Sequence, residues 1–163
     1  MMYFAYGSNM SLKRIKYRLP NTQLLGVAAL PHFQLRFHKK GIDGSAKADA
    51  LFTGRAEDRV LGALYQLSDS ELAHLDRVED CGVGYERKEV EVWVEGEKHL
   101  AWTYCALHID RSLKPFDWYH QHVLRGAEQL GLPNSYIELI KSFAFCEDDD
   151  RIRMEREISI YRN

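Results

Sequence analysis

The chain has 163 residues, 45% of them hydrophobic and 28% charged, with a formal net charge of -2 at pH 7. That length is enough for a buried core without staples, and with a near-neutral balance and no long basic block nothing suggests an electrostatic footprint for nucleic acid. No apolar run nears the ~18 residues of a membrane helix, and no signal-peptide pattern opens the chain, so a cytoplasmic protein away from membranes is expected.

Tyr3-Phe4-Ala5-Tyr6 reads as a short buried strand, ended by Gly7-Ser8-Asn9. The basic segment from Ser11 sets Leu12, Ile15 and Leu19 at helical spacing before Pro20 stops it, with Asn9 or Ser11 available as its cap. A strand that passes through a glycine turn into a helix start presents free N–H groups and the positive end of a dipole, a setting for a carboxylate or an oxyanion. Many such turns bind nothing, so this one carries little weight alone.

Residues 23–38, apolar and aromatic but broken by Pro31, predict one or two strands, and the polar, glycine-rich stretch from Lys39 to Asp49 predicts a loop. Strands follow over 50–54 and 60–67. Ser68-Asp69-Ser70-Glu71 is a capping box for a helix running to about Glu79. Val90, Val92 and Val94 alternate with polar residues, and the turn Glu95-Gly96-Glu97-Lys98 returns the chain over 99–107 as a hairpin. Asp117 opens a helix with Tyr119, Val123, Ala127 and Leu130 on one face, ended by Gly131 and Pro133. Ser135 and Glu138 form a second capping box, for a helix to about Phe143. From about Glu147 the chain is highly charged, and the alternation of Ile158 and Ile160 predicts a last strand. Strict strand–helix alternation is missing, so the pattern predicts one α+β domain over 1–163 with a curved or barrel-like sheet.

On the helix from Ser68, Leu72, Leu75 and Val78 define the inward face, and a turn of ~100° per residue sets Glu79 between the two leucines. A carboxylate partly withdrawn from water there suits general acid/base work. The ordinary alternative, favoured by periodicity alone, is a helix-end glutamate paired with an arginine. Asp76 and Asp80 read as solvated charges. His120 and His122 do not face each other on a helix and read as surface histidines rather than a metal pair. The cysteines Cys81, Cys105 and Cys146 show neither CxxC nor zinc-ligand spacing, and no histidine is placed to activate Cys81, so free, inert thiols are expected. The segment from Gly41 to Ser45 matches no Walker or dinucleotide loop. Tyr85 and Tyr119 read as core aromatics.

Three segments, taken in chain order, resemble the γ-glutamylcyclotransferase (AIG2-like) family. YFAYGSNM, Tyr3 to Met10, resembles its N-terminal signature. LGALYQLSDSELAHLDRVED, Leu61 to Asp80, resembles the strand and helix that deliver its catalytic glutamate, which falls at Glu79. YHQHVLRGAEQLGLP resembles its C-terminal helix, with Tyr119 at a substrate-contacting position. The resemblance implies a small mixed β-barrel flanked by helices, and release of 5-oxoproline from γ-glutamyl compounds by an acyl-transfer (lyase-type) cyclisation with no metal or cofactor. It implies Glu79 as catalytic base and acid, with Tyr3, Phe4, Ala5, Tyr6, Gly7, Ser8, Asn9 and Tyr119 binding substrate. The loop from Gly41 to Asp49 also resembles a DGSGKA-type loop of bacterial relatives.

Tyr6-Gly7-Ser8-Asn9 stands where relatives acting on γ-glutamylamines carry Tyr-Gly-Thr-Leu. That favours γ-glutamyl amino acids or peptides over γ-glutamylamines or a γ-glutamyl-protected metabolite. Readings of other classes are a non-catalytic small-ligand module and a hydrolase built on Cys81. The expected partner is a small γ-glutamyl molecule, with neither nucleic acid nor membrane; assembly is left open, a homodimer being one option.

Overall fold

A computed structural model describes residues 1–162 of the chain. The elements run β1 (Met2–Ala5), α1 (Leu12–Arg18), β2 (Gln23–Pro31), β3 (Phe33–Lys40), β4 (Ala46–Phe52), β5 (Arg59–Gln66) and α2 (Asp69–Val78). They continue with β6 (Tyr85–Val94), β7 (Glu97–Ala106), α3 (Asp117–Gln129), α4 (Asn134–Ser142) and α5 (Arg151–Ile158). Single 3₁₀ turns lie at Ser8–Met10 and Ser159–Tyr161. Five strands close into a barrel in the order β1-β5-β2-β6-β7, and β3 pairs with β4 in a separate ribbon. Pairs in the barrel are antiparallel except at the seam, where β1 meets β7 in parallel at Tyr3 and Trp102. The fold is α+β, a small mixed barrel flanked by helices, as the sequence predicts.

β1 is buried on both faces, which is why its residues show no polar alternation. Tyr3 and Ala5 pack with Ile15 of α1, Tyr65 of β5, and Leu72 and Leu75 of α2, while Phe4 packs in the main core with Met10, Leu64 and Val123. β5 presses so closely on this strand that a methyl group at Gly62 would lie 2.2 Å from the Ala5 carbonyl oxygen. Glycine is required there by contact, not by its dihedral freedom.

The capping box of α2 forms as predicted: Ser68 Oγ accepts from the Glu71 amide at 3.2 Å, and the Glu71 carboxylate accepts from the Ser68 amide at 2.8 Å. Ser11, not Asn9, caps α1, its hydroxyl accepting from the Arg14 amide at 3.4 Å. α4 starts at Asn134, directly after Pro133, so Ser135 falls inside the first turn and the second capping box does not form.

Three further expectations are corrected. The stretch from Lys39 to Asp49 is a loop only over 41–45, because β3 runs to Lys40 and β4 starts at Ala46. These strands are polar because their side chains find polar partners indoors: His38 Nε2 lies 2.7 Å from Asp49 Oδ2, and Lys47 pairs with Asp43 at 2.8 Å. The predicted last strand is the helix α5, capped by Asp150. Met154 and Ile158, four apart, pack on the main core, and this helical spacing outweighs the Ile158/Ile160 alternation. His120 and His122 are buried, because α3 is covered on several sides. His120 Nε2 lies 2.8 Å from the Ile140 carbonyl, and His122 lies 2.6 Å from the Tyr161 hydroxyl and 3.3 Å from Glu157. No helix among the described residues is long and apolar enough to cross a membrane.

Burial lowers the His122 pKa to about 4, whereas the unfolded chain protonates this ring near its ordinary value of about 6.5. Between those values the folded state binds fewer protons than the unfolded one, so stability falls as the pH drops through the window. Denaturation midpoints are expected to fall on acidification from about pH 7 to about pH 4, and to fall less steeply in His122→Asn. Equal slopes in the two proteins would place the acid sensitivity elsewhere.

Candidate active site

After β1 the chain enters the 3₁₀ turn Ser8–Met10, which is held from two sides. Tyr65 of β5 donates its hydroxyl to the Asn9 carbonyl at 3.0 Å. α3 crosses so close that a methyl group at Gly126 would lie 2.6 Å from Met10 and Ser11 backbone atoms. At Gly7 a methyl group would lie 3.0 Å from Ala48 Cβ, so this residue too is small because of its neighbour. The amides of Gly7, Ser8 and Asn9 have no acceptor among the described residues. Amides so placed are available to a ligand.

α2 brings the carboxylate. The Glu79 amide still bonds the Leu75 carbonyl at 2.8 Å, and Asp80, with φ 52, turns the chain away in the left-handed region that aspartate tolerates. Leu72 and Leu75 of the same helix are buried, and the Glu79 side chain is only 17% exposed. Its Oε1 accepts from Asn9 Nδ2 at 3.1 Å and from Arg18 at 3.4 Å. Arg18 also donates to Asn9 Oδ1 at 2.9 Å, and Asn9 Nδ2 donates to the Tyr3 hydroxyl at 3.0 Å. The two alternatives read from the helix pattern therefore hold together: the carboxylate is largely withdrawn from water and is also paired with an arginine. Val78 is exposed rather than inward, because the last turn of α2 borders an open cavity.

Tyr3, Tyr6, Gly7, Ser8 and Asn9 share one wall of a cavity of about 320 Å³. Glu79 and Tyr119 reach it from α2 and α3, joined by Ala48, Tyr85 and Tyr104. Phe4 and Ala5 do not line it, being committed to the core on either side of β1. Tyr85 and Tyr104 are site residues that sequence reasoning missed, since nothing in a strand pattern separates a cavity-lining tyrosine from a core one. Ala48 fixes two of the phenols with opposite polarity. Its amide donates to the Tyr119 oxygen at 3.0 Å, leaving the Tyr119 proton to donate elsewhere. Its carbonyl takes the Tyr85 proton at 2.7 Å, leaving the Tyr85 oxygen to accept. The Tyr6 hydroxyl bonds the Tyr104 carbonyl, and the Tyr104 hydroxyl donates to Asp76 at 2.6 Å. Burial raises the pKa of Tyr3, Tyr6, Tyr85, Tyr104 and Tyr119, so these phenols keep their protons at neutral pH, and Glu79 is the carboxylate among the cavity's lining residues.

A second, wider cavity of about 1000 Å³ opens outward and shares Ser8, Glu79, Tyr85 and Tyr119 with the first. Its walls carry Arg14, Arg18, Lys39, Lys47 and Arg153 against Asp43, Glu79 and Asp80, and the loop over 41–45 forms part of its rim. Arg14 donates to Ser8 Oγ at 3.1 Å and pairs with Glu157 of α5 at 2.6 Å, so the C-terminal helix supports the turn through one arginine. Cys81 is exposed and lines neither cavity. The whole combines a carboxylate able to shuttle protons, free amides able to receive negative charge, and phenols that orient a polar ligand.

Residues 3–122 match the family model described as gamma-glutamyl cyclotransferase, AIG2-like. A mouse protein named gamma-glutamylcyclotransferase is 30% identical over 161 residues, spanning 96% of this chain and 85% of the relative. A human protein of the same name is 30% identical over 145 residues, spanning 86% of this chain and 77% of the relative. The solved structure of a gamma-glutamyl cyclotransferase superposes with a TM-score of 0.88 at 27% identity, covering 99% of this chain and 98% of the other.

Proposed function

The chain belongs to the gamma-glutamyl cyclotransferase, AIG2-like family and is an enzyme of it, and we propose that it releases 5-oxoproline from γ-glutamyl amino acids or peptides by attack of the substrate's α-amine on its own γ-carbonyl. One observation carries this reading. Glu79 and the turn with free amides come from segments 70 residues apart and meet in one cavity, with Asn9 Nδ2 3.1 Å from the Glu79 carboxylate.

The substrate's α-ammonium gives a proton to Glu79. The freed amine adds to the γ-carbonyl carbon, and the amides of Gly7 to Asn9 and the Tyr119 hydroxyl receive the charge that develops on the oxygen. Glu79 then gives its proton to the departing nitrogen, and the amide C–N bond breaks as the oxygen's charge returns to the carbonyl. The carboxylate takes the second proton from the ring nitrogen, so that a neutral five-membered lactam leaves and the amine carries that proton away as ammonium. Both reacting groups belong to one molecule, so the cavity's main task is to hold a folded conformer with nitrogen and carbon ~3–3.5 Å apart. The Tyr85 oxygen, left free to accept, is placed to orient the amine before attack.

A panel of γ-glutamyl amino acids, peptides and amines, assayed for 5-oxoproline and for the released amine, tests the reading. Equal amounts of both products are expected. Glutamate in place of 5-oxoproline would make the enzyme a hydrolase, and binding without turnover would make it a small-ligand module. Alkylation of Cys81, exposed and outside both cavities, is expected to leave turnover intact.

A further inference from the structure

Four of the five cations around the outer cavity have carboxylate partners: Arg14 with Glu157 at 2.6 Å, Arg18 with Glu79 at 3.4 Å, Lys47 with Asp43 at 2.8 Å and Arg153 with Asp148 at 2.6 Å. Lys39 is the exception. Among the described residues no carboxylate lies within 4.0 Å of its Nζ, which donates no hydrogen bond to them either. Yet the residue is only 7% exposed. A bulge between Phe37 and Lys39 breaks the alternation of β3, sending His38 to Asp49 and Lys39 toward the cavity. There its Nζ sits 4.7 Å from the centre of the Tyr85 ring. A buried ammonium without an anion is costly, and one that faces a cavity is a built receptor for a carried-in negative charge. Burial lowers the Lys39 pKa against the opposing pull of Glu79, Asp80 and Asp43, the direction expected of a cation lacking a direct partner.

Position decides which charge it receives. Glu79 and Tyr85 line both cavities and so mark the passage between them, whereas Lys39 lines the outer one and not the inner. In the cyclotransferase reading the γ-glutamyl group takes the inner cavity with Glu79 and the free amides, which leaves the outer cavity to the departing amine. We propose that Lys39 reads a carboxylate on the leaving amine, selecting substrates whose departing group is an amino acid or peptide over those that release a simple amine. The assignment rests on the cyclotransferase reading above.

The test compares γ-glutamylalanine with γ-glutamylethylamide, which differ only by the carboxylate on the leaving group. In Lys39→Met the ratio of kcat/KM for the first over the second is expected to fall about tenfold or more, through the KM for γ-glutamylalanine, with its kcat held. Lys39→Arg is expected to restore part of the ratio. An unchanged ratio overturns the assignment. So does an equal loss for both compounds, which is what a merely structural lysine, or one reading the γ-glutamyl group's own carboxylate, would give. Calorimetric binding of both compounds to the wild type and to Lys39→Met separates recognition from reaction. A preference for γ-glutamylalanine that disappears in the variant, without 5-oxoproline release by either protein, upholds Lys39 and sinks the cyclotransferase reading. Turnover without such a preference sinks Lys39 alone, and neither turnover nor preference sinks both.

Discussion

Glu79→Gln is expected to lower kcat for 5-oxoproline release about a thousandfold while moving KM no more than a few-fold. The glutamine side chain matches glutamate in size, and its oxygen can still accept from Asn9 Nδ2 and from Arg18, so the cavity and the turn keep their shape. What the variant lacks is a group able to take a proton from one nitrogen and return it to another. No neighbour replaces it: the phenols of the inner cavity are held protonated by burial, and Asp80 is exposed on the left-handed turn that leads away. The loss should therefore appear in turnover and spare substrate affinity, measured by steady-state kinetics beside calorimetric binding of a γ-glutamyl amino acid. Near-wild-type release by the variant would remove Glu79 from the reaction. A loss confined to KM would make it a binding group.

Much of this site is readable in the sequence because its anchors are local. The capping box at Ser68, the leucines at Leu72 and Leu75 and the glutamate after them lie within one short segment, and helical periodicity places Glu79 without knowledge of any partner. The glycine turn after β1 is equally local, but it carries little weight until Glu79 is set beside it. What sequence reading misses is supplied by distant strands or hidden by composition. Tyr85 and Tyr104 enter the cavity only because β6 and β7 close the barrel against β1, a pairing between residues about a hundred positions apart that no window contains. Lys39, Lys47 and Asp49 look like loop residues because strands are expected to be apolar, whereas these strands border a polar cavity. His122 looks like a surface residue because its partners, Glu157 and Tyr161, belong to a tail whose charge disguises a docked helix.

Gly126→Ala is expected to destabilise the protein by ~1–3 kcal/mol, lowering Tm by ~2–12 °C, and to cut 5-oxoproline release as well. The sign is the point. In an exposed helix interior, alanine is favoured over glycine by ~1 kcal/mol, so propensity alone predicts a more stable variant. Here the added methyl group would lie 2.6 Å from the Met10 carbonyl carbon, from Met10 Cβ and from the Ser11 nitrogen. These are backbone or near-backbone atoms, not the far end of a flexible side chain, and Met10 is fully buried. The turn cannot retreat freely either, since Tyr65 fixes the Asn9 carbonyl from the other side. α3 and the turn must therefore separate. The turn carries the amides of Gly7, Ser8 and Asn9, while Glu79 arrives independently on α2, so a separation that moves one and not the other spoils their register. A displacement near 1 Å at a reacting centre costs about a hundredfold in rate. Thermal denaturation and the 5-oxoproline assay check both halves, with Glu128→Ala, on the exposed side of the same helix, expected to change neither. A rise in Tm for Gly126→Ala would show that helix and turn can part without strain. Unchanged turnover alongside a lowered Tm would show that Glu79 and the amides are held together by contacts other than this crossing.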